Sequence, residues 1–529
     1  MTFHARSRSV SLLLPVASLA LTCTWAGEVF AGPVPVTTAD ELVAAVNDAA
    51  PGDEIILAPG TYLLTNKLSC AADGTAEQPI IVRADNLGDA VVQMDNLEGF
   101  HVQGAHWEIH HLDIEGVCAN DSDCEHAFHI TGDAEFTHIH HNRVHGFNAQ
   151  IKANGTDTGP NGERVWPDDV TIEYNEMFNE APRQTGNPVT PIDVVGGRRW
   201  VVRGNYIHDH AKALDNTISY AAFLKGNSRD GVFERNLVVC EMLHSGQVRL
   251  GLSFGGGGSS PDSICEDGTC NPEHQNGIMR NNIIARCPAD VGIYVNEGQN
   301  TLIYNNTLYD STGIDMRFAT TTGEVRNNLL TGQIRNRDGA TANFASNLEM
   351  VSLADFQAWF TDPDALDFSL VDGAAFVDQG ESLAEVIDDF CTNIRDDGMH
   401  DLGALEFDGD GTCDTSMPFE GGDGDGDGDG DGDGDGDGGD GDGDSGDGDG
   451  DPGDGDPGDG DGDTGDGDGD SGDGDGDSNG STETGSGAAD GGGEAGCSCS
   501  ETTTVNAWWM LGGLALLGMR RRRDLSAKR

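Results

Sequence analysis

Seven side chains of a chemically useful kind fall at one place in a repeating phrase: His129, Lys152, Asp193, Phe223, Lys225, Tyr294 and Arg317. The phrase begins as Phe128-His129-Ile130-Thr131, Ala149-Gln150-Ile151-Lys152, Ile192-Asp193-Val194-Val195 and Ala222-Phe223-Leu224-Lys225. It continues as Leu252-Ser253-Phe254-Gly255, Ile293-Tyr294-Val295-Asn296 and Ile314-Asp315-Met316-Arg317. First and third positions are apolar throughout, so a strand sends the second and fourth to the opposite, outer face. One predicted column holds His129, Gln150, Asp193, Phe223, Ser253, Tyr294 and Asp315. The other holds Thr131, Lys152, Val195, Lys225, Gly255, Asn296 and Arg317. Such a stripe offers cations to hold a carboxylate, an amine and a phenol to move protons, and an aromatic ring to meet a sugar. Insertions near Asn154–Val165 and Gly256–Asn276 would wall it. A walled groove of this kind suits an extended polymer, with Lys152, Phe223, Arg317 and His129 as its binding groups.

The element that must position these residues is signalled by a second phrase, a bend Asn inside a short apolar run. It recurs around Asn142, Asn175, Asn205, Asn236, Asn282, Asn306 and Asn328. The period is about 22–33 residues with one longer step, in the range of stacked repeats. Each run is too short for a helix and rich in β-branched and aromatic residues, so it reads as a strand. One Asn per bend can bond backbone groups of its own and the next coil. The pattern predicts an all-β fold, a right-handed parallel β-helix of the pectate-lyase-like solenoid kind, over residues 33–415. An even repeat of this sort distinguishes it from a β-sandwich.

The two ends read differently. Residues 1–31 have the form of an export signal: Arg6 and Arg8, then an apolar run from Val10 to Leu21, then small residues. Residues 416–496 are dominated by Gly and Asp and cannot form a core, so they read as a disordered tether. Residues 497–529 hold Cys497 and Cys499, a short apolar stretch from Val505 to Met519, and Arg520–Arg523. This tail resembles the C-terminal sorting signal of myxobacterial surface proteins; a plain membrane anchor gives nearly the same location. The expected product is exported, held at the cell surface through this tail or released after processing, and touches membrane nowhere else. The chain has 29 Lys and Arg against 92 Asp and Glu, a net charge of −63. That excludes nucleic acid as a partner, because phosphate binding needs clustered cations. A monomer is expected. Export permits disulfides, and the spacing pairs Cys118 with Cys124, Cys265 with Cys270, Cys240 with Cys287 on successive coils, and Cys391 with Cys413, leaving Cys70.

Thr38–Tyr62, Gly74–Asp95 and His101–Val117 resemble the chondroitinase-B and alginate-lyase group of polysaccharide lyases, and His400–Phe407 resembles a closing motif of such domains. Ala222–Asn236 resembles the segment that carries the family's catalytic lysine, which implies Lys225. The family's catalytic arginine, about one coil later, implies Arg249. The family's calcium ligands, an Asn and two Glu, find Ile218 and Tyr220 instead, and Asp193 one coil back is the substitute metal ligand. The resemblance therefore implies β-elimination of a uronate polysaccharide. Lys225 takes the C5 proton, Arg249 or Arg317 neutralises the carboxylate, and Tyr294 protonates the leaving oxygen, with calcium the one cofactor implied.

The rival reading is a non-catalytic, glycan-binding surface protein of the adhesin type. A glycoside hydrolase is a third, but Asp193 and Asp315 fall several coils apart, beyond the ~5–9.5 Å such mechanisms use. The histidines at 110–111, 138, 140–141, 208 and 210 read as bend residues away from the stripe, with no companion carboxylate. The glycines at 255–258 are followed by no Lys-Ser/Thr pair and make no phosphate loop.

Overall fold

The computed structural model describes residues 32–371, 373, 375–395, 398–407 and 415. Each repeat has one apolar side it cannot bury alone, so repeats stack. The stack is a right-handed parallel β-helix of three long sheets. Sheet 1 has ten strands, from Leu68–Cys70 to Gln333–Arg337. Sheet 2 has twelve, from Pro33–Val36 to Asn343–Ala345, and sheet 3 has ten, from Gly60–Leu64 to Leu329–Leu330. Each strand pairs in parallel with its equivalent one coil away. In sheet 1, Phe128 pairs with Ile151, Ile151 with Ile192, and Ile192 with Ala222. These inward residues are fully buried and form one continuous core.

The bend asparagines form the expected ladder between sheets 2 and 3. The Asn142 N–H and side-chain amide both donate to Asn175 Oδ1, at 3.1 Å each. The same pair of bonds links Asn175 to Asn205, Asn205 to Asn236, Asn236 to Asn282, Asn282 to Asn306, and Asn306 to Asn328. Asn347 extends it by one rung. Each amide also donates to a carbonyl of the preceding coil, as Asn142 does to Ile109 at 2.9 Å. The residue before each rung is left-handed, with φ of 52° at His141 and 51° at Tyr174, which turns the chain between sheets.

Helix α1 (Ala39–Asn47), N-capped by Thr38, lays Leu42 and Val46 on the first end of the core. The last strand of the three long sheets ends at Ala345. The described residues of 346–407 hold helix α2 (Leu353–Trp359) and a short strand pair. They cover the outer side of sheet 3's later coils, where Phe356, Phe368, Phe376 and Leu402 bury Tyr206, Leu237, Ile283 and Tyr309. The closing segment docks there too, with the Ala404 N–H donating to Thr307 Oγ1 at 2.9 Å.

Three predicted disulfides are present: Cys118–Cys124, Cys265–Cys270 and Cys240–Cys287, the last joining coils with Cα atoms 5.0 Å apart. Cys391 is disulfide-bonded, and its expected partner Cys413 lies outside the described residues. Cys70 is buried and free. The predicted export signal, Gly-Asp tether and C-terminal tail also lie outside the described residues. Among the described residues no helix is long and apolar enough to cross a membrane.

Candidate functional site

Strand register decides which outer residues of sheet 1 become neighbours. The observed column runs His101, His129, Lys152, Asp193, Phe223, Ser253, Tyr294, Asp315. This corrects the predicted columns at one strand. Gln150 was expected beside His129, but Ala149–Asn154 is six residues long and brings Lys152 there instead. Gln150 is buried and donates to the Phe178 carbonyl at 3.0 Å. Lys152 thereby stands directly beside Asp193.

Lys152 Nζ lies 2.9 Å from Asp193 Oδ1, off the direction of a good hydrogen bond, so the contact is an ion pair. Lys225 stands on the next coil, opposite Val195. Burial pushes the Asp193 carboxyl up, but the charges of Lys152 and Lys225 outweigh it and hold the group below its ordinary value. Lys225 Nζ donates to the Gly258 carbonyl at 3.1 Å and sits 4.5 Å from the centre of the Phe223 ring. Among the described residues it forms no ion pair. Asp193 thus has an ammonium group on either side. That donor set does not fit calcium, which wants several oxygens and no neighbouring cation.

Both insertions wall the sheet. Residues 154–165 close through the Thr156–Val165 bridge, and Arg164 Nη1 reaches across to the Ser263 carbonyl at 3.2 Å. Glu266 anchors the second insertion through the Gly197 N–H at 2.7 Å and Arg198 at 3.0 Å. Glu273, which the sequence reading missed, accepts from Ser259 Oγ at 2.7 Å and the Gly226 N–H at 2.8 Å. Burial raises its carboxyl, and these hydrogen bonds and the Lys225 charge oppose the rise. Glu273 fixes the Gly255–Gly258 turn over the site. A Cβ at Gly256 would stand 2.9 Å from the Phe223 ring, so only glycine fits there. The turn leaves Phe223 at 4 % and Lys225 at 6 % exposure. This corrects the expectation that Phe223 is an open platform for a sugar ring.

Tyr294 stands farther along, its hydroxyl accepting from Arg317 Nη1 at 3.2 Å. Burial raises the phenol's pKa against the opposing Arg317 contact, so the O–H keeps its proton. Arg317 also pairs with Asp338 at 2.5 Å. Tyr220, unassigned from sequence, joins the two ends: its ring lies 5.6 Å from Phe223 and 6.3 Å from Tyr294. Arg249 does not reach this face. Val248 and Leu250 pack outside with Tyr220, Val291 and Tyr294, so the alternation inverts near Gly251 and sends Arg249 inward. It is 1 % exposed and committed to the Cys240 and Gly246 carbonyls and His244. His129 is held between Glu98 at 3.0 Å and Asn154 at 2.7 Å, with its ring stacked on His101.

A separate depression of about 390 Å³ opens on sheet 3, lined by Asp113, Arg143, His145, Glu176, Phe178 and His208 among others. Arg143 pairs there with Glu176 at 2.6 Å and His145 with Asp113 at 3.2 Å. Burial lowers the His145 pKa, but hydrogen bonds to Asp113 and Glu180 prevail and push it up to about 9. On sheet 2 the histidines do have a carboxylate companion, contrary to expectation: Glu108 lies beside His110 and His140.

Residues 27–179 match the family model described as the Pel9A-like, right-handed β-helix region. No curated protein matches the chain. Among solved structures it is similar to pectate lyase Pel9A, at 16 % identity and a TM-score of 0.48, over 71 % of this chain and 96 % of that one. It is similar to an alginate lyase from Paenibacillus sp. str. FPU-7, at 15 % identity and a TM-score of 0.38, over 60 % of this chain and 99 % of that one. A GH136 lacto-N-biosidase from Eubacterium ramulus matches at 12 % identity and a TM-score of 0.38, over 60 % of this chain and 68 % of that one.

Proposed function

We propose that this is a carbohydrate-active β-helix protein whose sheet 1 face cleaves an acidic, uronate-containing polysaccharide by β-elimination. One observation carries the reading. The Lys152–Asp193 ion pair lies beside a second amine, Lys225, that forms no ion pair among the described residues, on three successive coils of one walled face. A polymer carboxylate entering this face would meet the Lys152 cation, with Lys225 beside it to act as the base. In the reaction Lys225, once it has passed its own proton to solvent, takes the C5 proton, the C5–H electrons form the C4–C5 double bond, and the C4–O bond breaks as the glycosidic oxygen takes a proton from Tyr294. Arg317, beside the Tyr294 hydroxyl, is placed to offset charge that develops there. Lys225 must exchange its Gly258 contact for the substrate, so the glycine turn has to yield. No step is routed through calcium. Export and display at the cell surface belong to the same proposal, supported by three disulfides that suit an oxidising compartment.

The cover over Lys225 and Phe223 favours a second reading, a non-catalytic glycan binder with an ammonium held ready for a carboxylate. A panel of uronate polymers separates the two. Turnover appears as the rising absorbance of unsaturated products, and a binder only saturates. Lys225→Ala is expected to abolish product release while keeping the fold by circular dichroism. Undiminished release would remove Lys225 from the mechanism.

A further inference from the structure

We propose that Glu108, His110 and His140 form a binding site for a transition-metal dication of the zinc type on the outer face of sheet 2. The site belongs to a different wall of the solenoid from Lys225 and does not depend on the reading above.

Strands Trp107–His110 and His138–His140 are adjacent and parallel, with Glu108 opposite His138 and His110 opposite His140. Alternation puts all four side chains on the outer face. Glu108 Oε1 lies 3.0 Å from His140 Nε2 and 3.9 Å from His110 Nε2, and one donor atom from each of the three residues lies within 4.8 Å of the others. A tetrahedral ion with bonds of about 2.0–2.2 Å holds its donors roughly 3.3 Å apart, so small side-chain rotations close the set. Two imidazole nitrogens and one carboxylate oxygen select a transition metal over calcium or magnesium, and they leave a coordination position for water.

The surroundings support the same assignment. His110 Nδ1 meets His111 Nδ1 at 2.5 Å, and His140 Nδ1 meets His141 Nδ1 at 2.8 Å. Each ligating ring therefore has a partner on its far nitrogen that can take that N–H and leave the Nε2 lone pair for the ion, the arrangement that orients metal-bound histidine. The device is built twice, one coil apart. His111 and His141 both adopt left-handed backbone, φ 57° and 52°, which folds each ring back on its predecessor. The rings stack in register, His110 on His140 at 4.5 Å and His111 on His141 at 5.4 Å. Competing charges nearby are already committed: Arg83 to Glu54 and Asp85, and Glu173 to His138 and Arg203. An ion here would join two coils.

The test uses the full chain, stripped with a chelator and kept in excess calcium so that the aspartates of residues 416–496 are occupied. Zinc is titrated calorimetrically, and cobalt(II) is followed by its visible absorption. One saturable zinc per chain, a cobalt spectrum with imidazole ligation and a raised thermal midpoint are expected. Glu108→Gln, His110→Gln and His140→Gln should each weaken zinc by roughly a hundredfold or more, and His141→Phe by about 10–100-fold. Lys225→Ala should leave zinc affinity unchanged, so loss of one proposal does not take the other with it. Unaltered zinc binding in His140→Gln, or a wild-type cobalt spectrum showing oxygen ligands alone, would overturn the site. The wild-type spectrum decides even where a variant folds poorly.

Discussion

Sheets 1 and 2 carry comparable numbers of charges on strands of the same geometry, yet arrange them differently. On sheet 2, Glu173, Arg203, Glu234 and Arg280 succeed one another on adjacent coils. Each cation meets a carboxylate: Arg203 pairs with Glu173 and lies 3.7 Å from Glu234, and Arg280 lies 2.5 Å from Glu234. On sheet 1, Asp193 pairs with Lys152, and Lys225 is left to a backbone carbonyl and an aromatic ring. A compensated ladder has spent its field on the fold. A cation behind a wall that no direct ion pair engages keeps part of its field for something else. The contrast separates scaffold from candidate site without reference to any relative.

Four measurements sharpen or break this contrast. The largest effect is expected from Lys225→Ala, a loss of about 10²–10⁴-fold in polymer cleavage, as for removal of a general base. Arg203→Ala on the opposite sheet should leave the rate unchanged, and equal losses from both would erase the distinction. Next comes Asp193→Asn, which leaves two ammonium groups on neighbouring coils. It should cost about 2 kcal/mol in chemical denaturation, less than stranding a fully buried charge because Lys152 can turn to water. A variant as stable as the wild type would show that the pair is not felt by the fold. Arg203→Ala should cost at most about 1 kcal/mol, since its partly exposed pairs are screened and Glu173 keeps His138.

The smallest effect is on pH dependence. Burial opposes ionisation of Glu173, but hydrogen bonds from His138 and Arg203 prevail and lower its pKa from 4.5 to about 2. A folded value below the unfolded one stabilises above the unfolded pKa, and that contribution disappears as pH falls through the folded pKa. Thermal midpoints of Glu173→Gln should therefore fall less steeply than wild type between pH 4.5 and about 2. Parallel curves would remove the linkage.

Much of the architecture was legible because it rests on local, repeated signals. The apolar alternation set the sheet 1 faces, and the bend asparagines set the corners. Two disulfides followed from close sequence spacing and Cys240–Cys287 from coil spacing. What failed was register and cover. Gln150 and Lys152 share a face by alternation, and only pairing to Asp193 tells which becomes the neighbour. Arg249 came from the family resemblance alone, and the structure turns it inward where the alternation inverts at Gly251, whose Cβ would meet the Gly292 carbonyl at 2.2 Å. Phe223 appeared open because nothing local shows that residues 255–258 fold back over it. The cover on sheet 3 did leave a trace, in the outer apolar residues Tyr206, Leu237, Ile283 and Tyr309, which need a partner to leave water. Glu108 was two positions from His110 and was missed because only strand register brings His140 beside the pair.

The asparagine corner has a consequence for the chemical lifetime of the protein. Asparagine deamidates when the following backbone nitrogen attacks its side-chain carbonyl, and this makes it a thermolabile residue. In the ladder that nitrogen is tied down: Arg143 donates to Leu112 at 3.0 Å, and Glu176, Tyr206 and Leu237 donate to the rung of the coil before at 2.9 Å each. The attacked amides are buried and bonded on both sides. The most repeated asparagine of the sequence is thereby also its best protected against ageing, and damage should collect first at loop asparagines such as Asn161, which the ladder does not hold.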